Sequence, residues 1–292
     1  MITDLPLRAR FPGCHQCSYF GTGPASVCMA CAGRRLERPT ARACPVCGQR
    51  TRLGGLCANE LCRCPQRRIG RIHAIAYHTG PLRRAIYDYK YRDVQSWAVI
   101  FGRLLLAWLD ETLLGDPPDL IVANPSFSGP GGQRFAHTEA VIEAAAREAA
   151  AREAAGREAT CETAAREAAG REAAGREATS GTAAPEATGC ETVHLGTRPR
   201  WRLDTETPRA IVKTAATLRS ADMQAWSKRA SATELREALL VPDSARISGR
   251  YVLVYDDICT TGGQLDAVAG RLLDEGDAAR VEAVVLARAP WR

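Results

Sequence analysis

The sequence has no long apolar run: no uninterrupted stretch approaches the roughly 18 residues that a bilayer span requires, so no membrane partner is expected. Its start, Met1-Ile2-Thr3-Asp4-Leu5-Pro6, lacks a cationic segment followed by an apolar one, as expected of a cytoplasmic chain. Acids are scarce over residues 1–72, where only Asp4, Glu37 and Glu60 stand against twelve arginines. That local excess of +9, within a chain of formal charge +6, could attract a polyanion, so DNA or RNA is one candidate partner. The 292 residues, 46 % of them apolar, suffice to bury a core in one large domain or two moderate ones.

Cysteine, by contrast, is abundant. Of twelve, nine fall between Cys14 and Cys64, mostly in close pairs, and in a reducing compartment that pattern favours metal over disulfides. Cys14-x2-Cys17 and Cys28-x2-Cys31 place two thiolates on each of two knuckles, four converging on one Zn²⁺. A second set opens with Cys44 and Cys47, after which Gly48 permits a tight turn. Cys57, Cys62 and Cys64 compete for its two remaining places. The four residues between Cys57 and Cys62 can close a second knuckle, whereas Cys62 and Cys64 are too close, which favours Cys57 and Cys62. All-thiolate sets are closed and structural, so residues 1–68 read as a double zinc ribbon.

From about Ile69 the pattern changes. Ile72 to Tyr77 reads as a strand, and Leu82, Ile86, Tyr89 and then Val99 to Leu109 recur at helical spacing. Leu120 to Ala123 is a short apolar run that leads through Asn124-Pro125 and a Gly-rich loop into a helix from about Thr138. The rhythm returns with Tyr251 to Tyr255 as strand, Leu265 to Leu273 as helix and Val281 to Leu286 as strand. The expected fold is therefore α/β, a parallel sheet flanked by helices, built from residues 69–143 and 191–292.

Residues 144–190, between these blocks, lack an apolar stripe at any helical period. They form a biased Ala-Arg-Glu repeat, expected to stay out of the core as a helical or disordered insert. Glu148/Arg152 and Glu153/Arg157 exemplify its i,i+4 pairs, each worth roughly 0.2–0.5 kcal/mol.

The most specific stretch is Val252-Leu253-Val254-Tyr255-Asp256-Asp257-Ile258-Cys259-Thr260-Thr261-Gly262-Gly263. A turn leading from a parallel strand into a helix collects unpaired N–H groups and the positive helix end, which stabilise an anion. Gly262 and Gly263 allow close backbone approach, Thr260 and Thr261 add hydroxyl donors, and Asp256 and Asp257 suit sugar hydroxyls. Cys259 has no histidine close in sequence and reads as a packed thiol.

This order of residues resembles the phosphoribosyltransferase family, and more closely its ComF-like branch with N-terminal cysteine ribbons, over most of residues 44–135 and 208–290. Weaker matches are Leu82-Arg83 to Tyr89-Lys90-Tyr91, Leu120 to Arg134, and Lys213, Thr217 and Arg229. Gln264 stands where the family often has Thr or Ser, and no base-recognition signature is present. The resemblance implies a type I phosphoribosyltransferase-like fold and a ligand, 5-phosphoribosyl 1-diphosphate, bound with Mg²⁺. It implies Asp256 and Asp257 as catalytic residues, Arg134 and Lys213 as pyrophosphate contacts, and transfer of the phosphoribosyl group to a nitrogen nucleophile. ComF-like proteins are also associated with DNA uptake, so a nucleic-acid accessory protein with a non-catalytic α/β domain is the alternative expectation.

Overall fold

The computed structural model describes residues 36–51, 57–112, 116–127, 136–154, 201–217 and 233–290. The expected ligands Cys14, Cys17, Cys28 and Cys31, the loop residue Arg134, and Arg229 lie outside the described residues.

In chain order the elements are α1 (Glu60–Arg63), β1 (Ile72–Tyr77), α2 (Gly80–Tyr91), α3 (Trp97–Thr112) and β2 (Leu120–Ala123). A helix over 137–154, α4, follows. Then come β3 (Arg202–Leu203), β4 (Val212–Lys213), a short helix over 233–237, α5, and β5 (Leu239–Leu240). The chain closes with β6 (Tyr251–Cys259), α6 (Gly263–Asp274) and β7 (Arg280–Arg288).

Among the described residues, five strands form one parallel sheet in the order β1-β7-β6-β2-β3, and β4 pairs antiparallel with β5 in a separate ribbon. The expected parallel sheet flanked by helices is therefore present. Alternation along the strands divides the core into two layers. Leu253, Tyr255, Ile121 and Val284 face α2, α3 and α4, whereas Val252, Val254, Val122 and Val285 face α6 and the buried Cys44 and Cys47. The cysteine segment thus shares a core with the sheet. It also closes the sheet's outer side: the N–H groups of Ile72 and Tyr77 donate to the carbonyls of Val46 and Glu37, both at 2.7 Å.

The beginning of the alanine-rich repeat departs from expectation, because it is core. Ala144 and Ala145 in α4 are buried against α3, and the Glu148 carboxylate accepts from Nε and Nη2 of buried Arg103, both at 3.0 Å. Small size replaces an apolar stripe here: a Cβ on Gly102 would lie 2.8 Å from the Ala145 nitrogen, so the two helices approach backbone to backbone. Glu148 and Arg152 form the expected i,i+4 pair at 3.7 Å. The remainder of the repeat, beyond residue 154, lies outside the described residues.

Two directions of connection meet at the middle of the sheet. The chain leaves β2 for β3 on one side and β6 for β7 on the other, while β2 and β6 pair from Leu120–Val252 to Ala123–Tyr255. The crevice outside their carboxyl ends is a topological switch point, where open α/β sheets bind ligands.

Candidate functional site

The segment 43–50 folds back on itself through an Ala43–Arg50 bridge, with the Cys44 N–H donating to the Gln49 carbonyl at 2.7 Å. Gly48 takes φ +66°, the tight turn expected after the second cysteine. Asn59 caps α1 by accepting from the Leu61 N–H, and this turn carries Cys57 and Cys62 to the same place.

The sulfurs of Cys44, Cys47, Cys57 and Cys62 all lie within 4.8 Å of one another. Cys44 to Cys62 and Cys47 to Cys57 are each 3.7 Å apart. A tetrahedral ion with bonds of about 2.3 Å holds its sulfurs roughly 3.8 Å apart, so the cluster has the size and chemistry for one Zn²⁺. Exposed Cys64 is outside it. Burial, with Cys44 and Cys47 close by, pushes the Cys57 thiol up to about 11, and burial with Cys47 raises that of Cys62. Burial likewise opposes ionisation of Cys47, but the Gln49 N–H and Arg288 outweigh it and bring that thiol down to about 7. A dication would relieve such crowded sulfurs.

Strand β6 runs past Tyr255 to Cys259, because β7 continues beside it with Asp256, Ile258 and Cys259 opposite Val285, Ala287 and Arg288. Asp256 and Asp257 therefore sit on the strand, their side chains alternating between its faces. Asp257 meets Lys90 of α2, whose Nζ is 2.9 Å from Oδ1 and 2.7 Å from Oδ2. Asp256 accepts from the Asp257 N–H at 2.8 Å and from the side chain of Asn124, the residue that follows β2. The other amide atom of Asn124, Oδ1, is buried without a partner among the described residues.

Burial, and then the charge of Asp257, pushes the Asp256 carboxyl up to about 7. Burial works against the Lys90 charge, but Asp257 overrides it and holds that pKa above the ordinary lysine value. Among the described residues, the end of β6 thus gathers two buried carboxylates, the Lys90 cation and an unsatisfied acceptor on Asn124.

Gly262 begins α6 at φ +89° with no side-chain cap. A Cβ there would lie 2.7 Å from Ile72 Cδ1 and 2.8 Å from Leu61 Cδ2. Gly262→Ala is expected to cost about 1–3 kcal/mol, from left-handed backbone strain plus overpacking, read as a lower denaturant midpoint at unchanged slope.

Asp256, Asp257, Thr260, Thr261, Gly262 and Gly263 thus form one continuous strand end and turn beside Asn124. Lys213 is on β4, in the two-stranded ribbon, and donates to Thr217 Oγ1 at 2.6 Å. Cys259 is buried, and burial pushes it up to about 12 with Arg288 opposing. Among the arginines read as a polyanion surface, Arg50 pairs with Glu37, Arg68 pairs with Asp274, and Arg67 donates to the Ile69 carbonyl. No helix among the described residues is long and apolar enough to cross a membrane.

Asn59 and Arg288 are site residues that sequence reasoning missed, Asn124 was noted there only as part of the loop after Ala123, and Lys90 was noted without a role. Lys90 had a signal: it continues the Leu82, Ile86 row at i+4, an apolar stripe interrupted by a charge.

No protein-family model matches the chain, and a search of curated proteins returned no match.

Proposed function

We propose that this protein binds a phosphorylated ribose, 5-phosphoribosyl 1-diphosphate with Mg²⁺, at the crevice between β2 and β6, and holds a structural Zn²⁺ at Cys44, Cys47, Cys57 and Cys62. The observation that carries the ligand reading is the position of the acid pair and the Thr260–Gly263 turn at the sheet's switch point. The turn and the start of α6 meet the phosphate through backbone N–H groups and threonine hydroxyls. Asp256 and Asp257 accept from ribose hydroxyls, and Lys90 balances their charge when the ligand is absent. Mg²⁺ bound with the diphosphate would supply neutralising charge to it and to the leaving pyrophosphate, beside the carboxylates of Asp256 and Asp257.

In the transfer this reading includes, the bond between ribose C1 and pyrophosphate breaks, a nitrogen nucleophile bonds C1 and gives up its proton to solvent, and the two carboxylates stabilise the positive charge that the departing pyrophosphate leaves on the ribose ring. The fold is then of the type I phosphoribosyltransferase kind.

Calorimetric titration with 5-phosphoribosyl 1-diphosphate tests the reading. Binding is expected with Mg²⁺, strengthening as pH rises through about 7 and Asp256 ionises. It is expected to vanish in Asp256→Ala/Asp257→Ala. Absence of binding to the unaltered protein, or unchanged binding in the double variant, overturns it.

A further inference from the structure

Buried Asn59 stands between the two clusters. Its side-chain oxygen accepts from the Leu61 N–H at 3.2 Å and so caps α1. Its side-chain nitrogen donates to the Thr261 carbonyl at 2.8 Å. The same side chain favours the thiolate of Cys47, and its backbone N–H that of Cys57, two residues earlier in the chain.

A trans peptide points its C=O and N–H in opposite directions. With the Thr261 carbonyl held by Asn59, the Gly262 N–H is directed away from the cysteine segment. Arg288, fully buried in β7, treats the preceding unit alike: its Nη1 donates to the Thr260 carbonyl and to the Cys259 carbonyl, the latter at 2.7 Å. The Thr261 N–H is thereby directed away from Arg288. Leu61, from the same capped turn, packs against Gly262. Two successive amides of the turn are therefore aimed by groups behind it, and Asn59 links one of them to the sulfurs.

We infer that Asn59 is a positioning residue through which the four-thiol cluster sets the shape, and hence the anion affinity, of the Thr260–Gly263 turn. The inference deepens the phosphoribose reading and rests on it for the ligand, while the mechanical link stands on geometry alone. Loss of metal at the sulfurs then weakens anion binding without any change in the residues that touch the anion.

Asn59→Asp separates cap from clasp. An aspartate still accepts from the Leu61 N–H but cannot donate to Thr261. The full-length variant is compared with the unaltered protein for metal content, for hydrogen exchange of the 259–264 amides without ligand, and for affinity toward 5-phosphoribosyl 1-diphosphate with Mg²⁺. Unchanged metal content is expected, with faster exchange confined to the turn and affinity lowered about tenfold, as for one lost hydrogen bond with added carboxylate–carbonyl repulsion. Asn59→Ser, uncharged and still able to cap, is expected to loosen the turn less.

Unchanged exchange in the turn of a folded Asn59→Asp variant overturns the inference, as does unchanged affinity. Should the variant shed metal, faster exchange in the turn supports the coupling and unchanged exchange overturns it. If the unaltered protein does not bind the probe, the ligand reading fails, and turn exchange alone decides the role of Asn59.

Discussion

Cys47→Ser is expected to remove one equivalent of zinc and to unfold the segment from residue 36 to about residue 64, while the sheet from β2 to β7 persists. The cluster provides the reason. Its four residues come from two short knuckles that bury only Cys44 and Cys47 fully and set Val46, Cys57, Leu61 and Cys62 half-buried against the sheet's core, so a bound metal would supply a large share of their folding free energy. Zinc-peptide values of roughly 10–16 kcal/mol bound that contribution from above. Cys62→Ser should behave like Cys47→Ser, and Cys64→Ser should retain full metal content, because its exposed sulfur is outside the cluster. Elemental analysis with hydrogen exchange checks both. A Cys64 variant that loses zinc would reverse the ligand assignment.

Asp256→Asn is expected to stabilise the protein at pH 8 while abolishing ligand binding. The folded-state carboxyl of Asp256 is raised to about 7 by burial and by Asp257. A raised folded pKa means that its contribution to stability is fully present below the ordinary carboxylate range and is lost as pH rises through about 7. Above that pH the fold bears an ionised carboxylate that it disfavours, and an amide removes the charge while keeping an acceptor for the Asp257 N–H. The gain should be about 1–3 kcal/mol at pH 8, or roughly 2–4 °C in Tm per kcal/mol, should shrink as pH falls below about 7, and should disappear only below about pH 4. Asp257→Asn should have the opposite sign, because it leaves Lys90, about a fifth exposed, without its counter-charge. Thermal unfolding at the two pH values decides, and equal Tm values for the Asp256→Asn variant and the unaltered protein at pH 8 would reject a strained acid pair.

Much of the α/β scaffold was legible because its signals are local. The strands at Ile72 and Leu120, the helices spanning Leu82 to Leu109, and the β6-turn-α6 unit each carry their periodicity within a dozen or so residues. Spacing alone also separated Cys57 and Cys62 from Cys64. The two-residue strands β3, β4 and β5 escaped because so short a stretch has no period. The alanine repeat misled, since helices that meet through Gly102 and Ala145 need smallness where the usual signal is an apolar stripe. Lys90 and Asp257 are 167 residues apart in sequence, and Asn59 and Thr261 are 202 apart, so only the folded chain unites them.

The bonds from Ile72 and Tyr77 to the cysteine segment have a further consequence for solubility. Among the described residues strand β1 is the last of the sheet on its side, and its unpaired backbone would otherwise be a template for another chain. Val46 and Glu37 occupy two of those groups, so the cysteine segment also shields an aggregation-prone edge, and a variant in which that segment unfolds is expected to self-associate there.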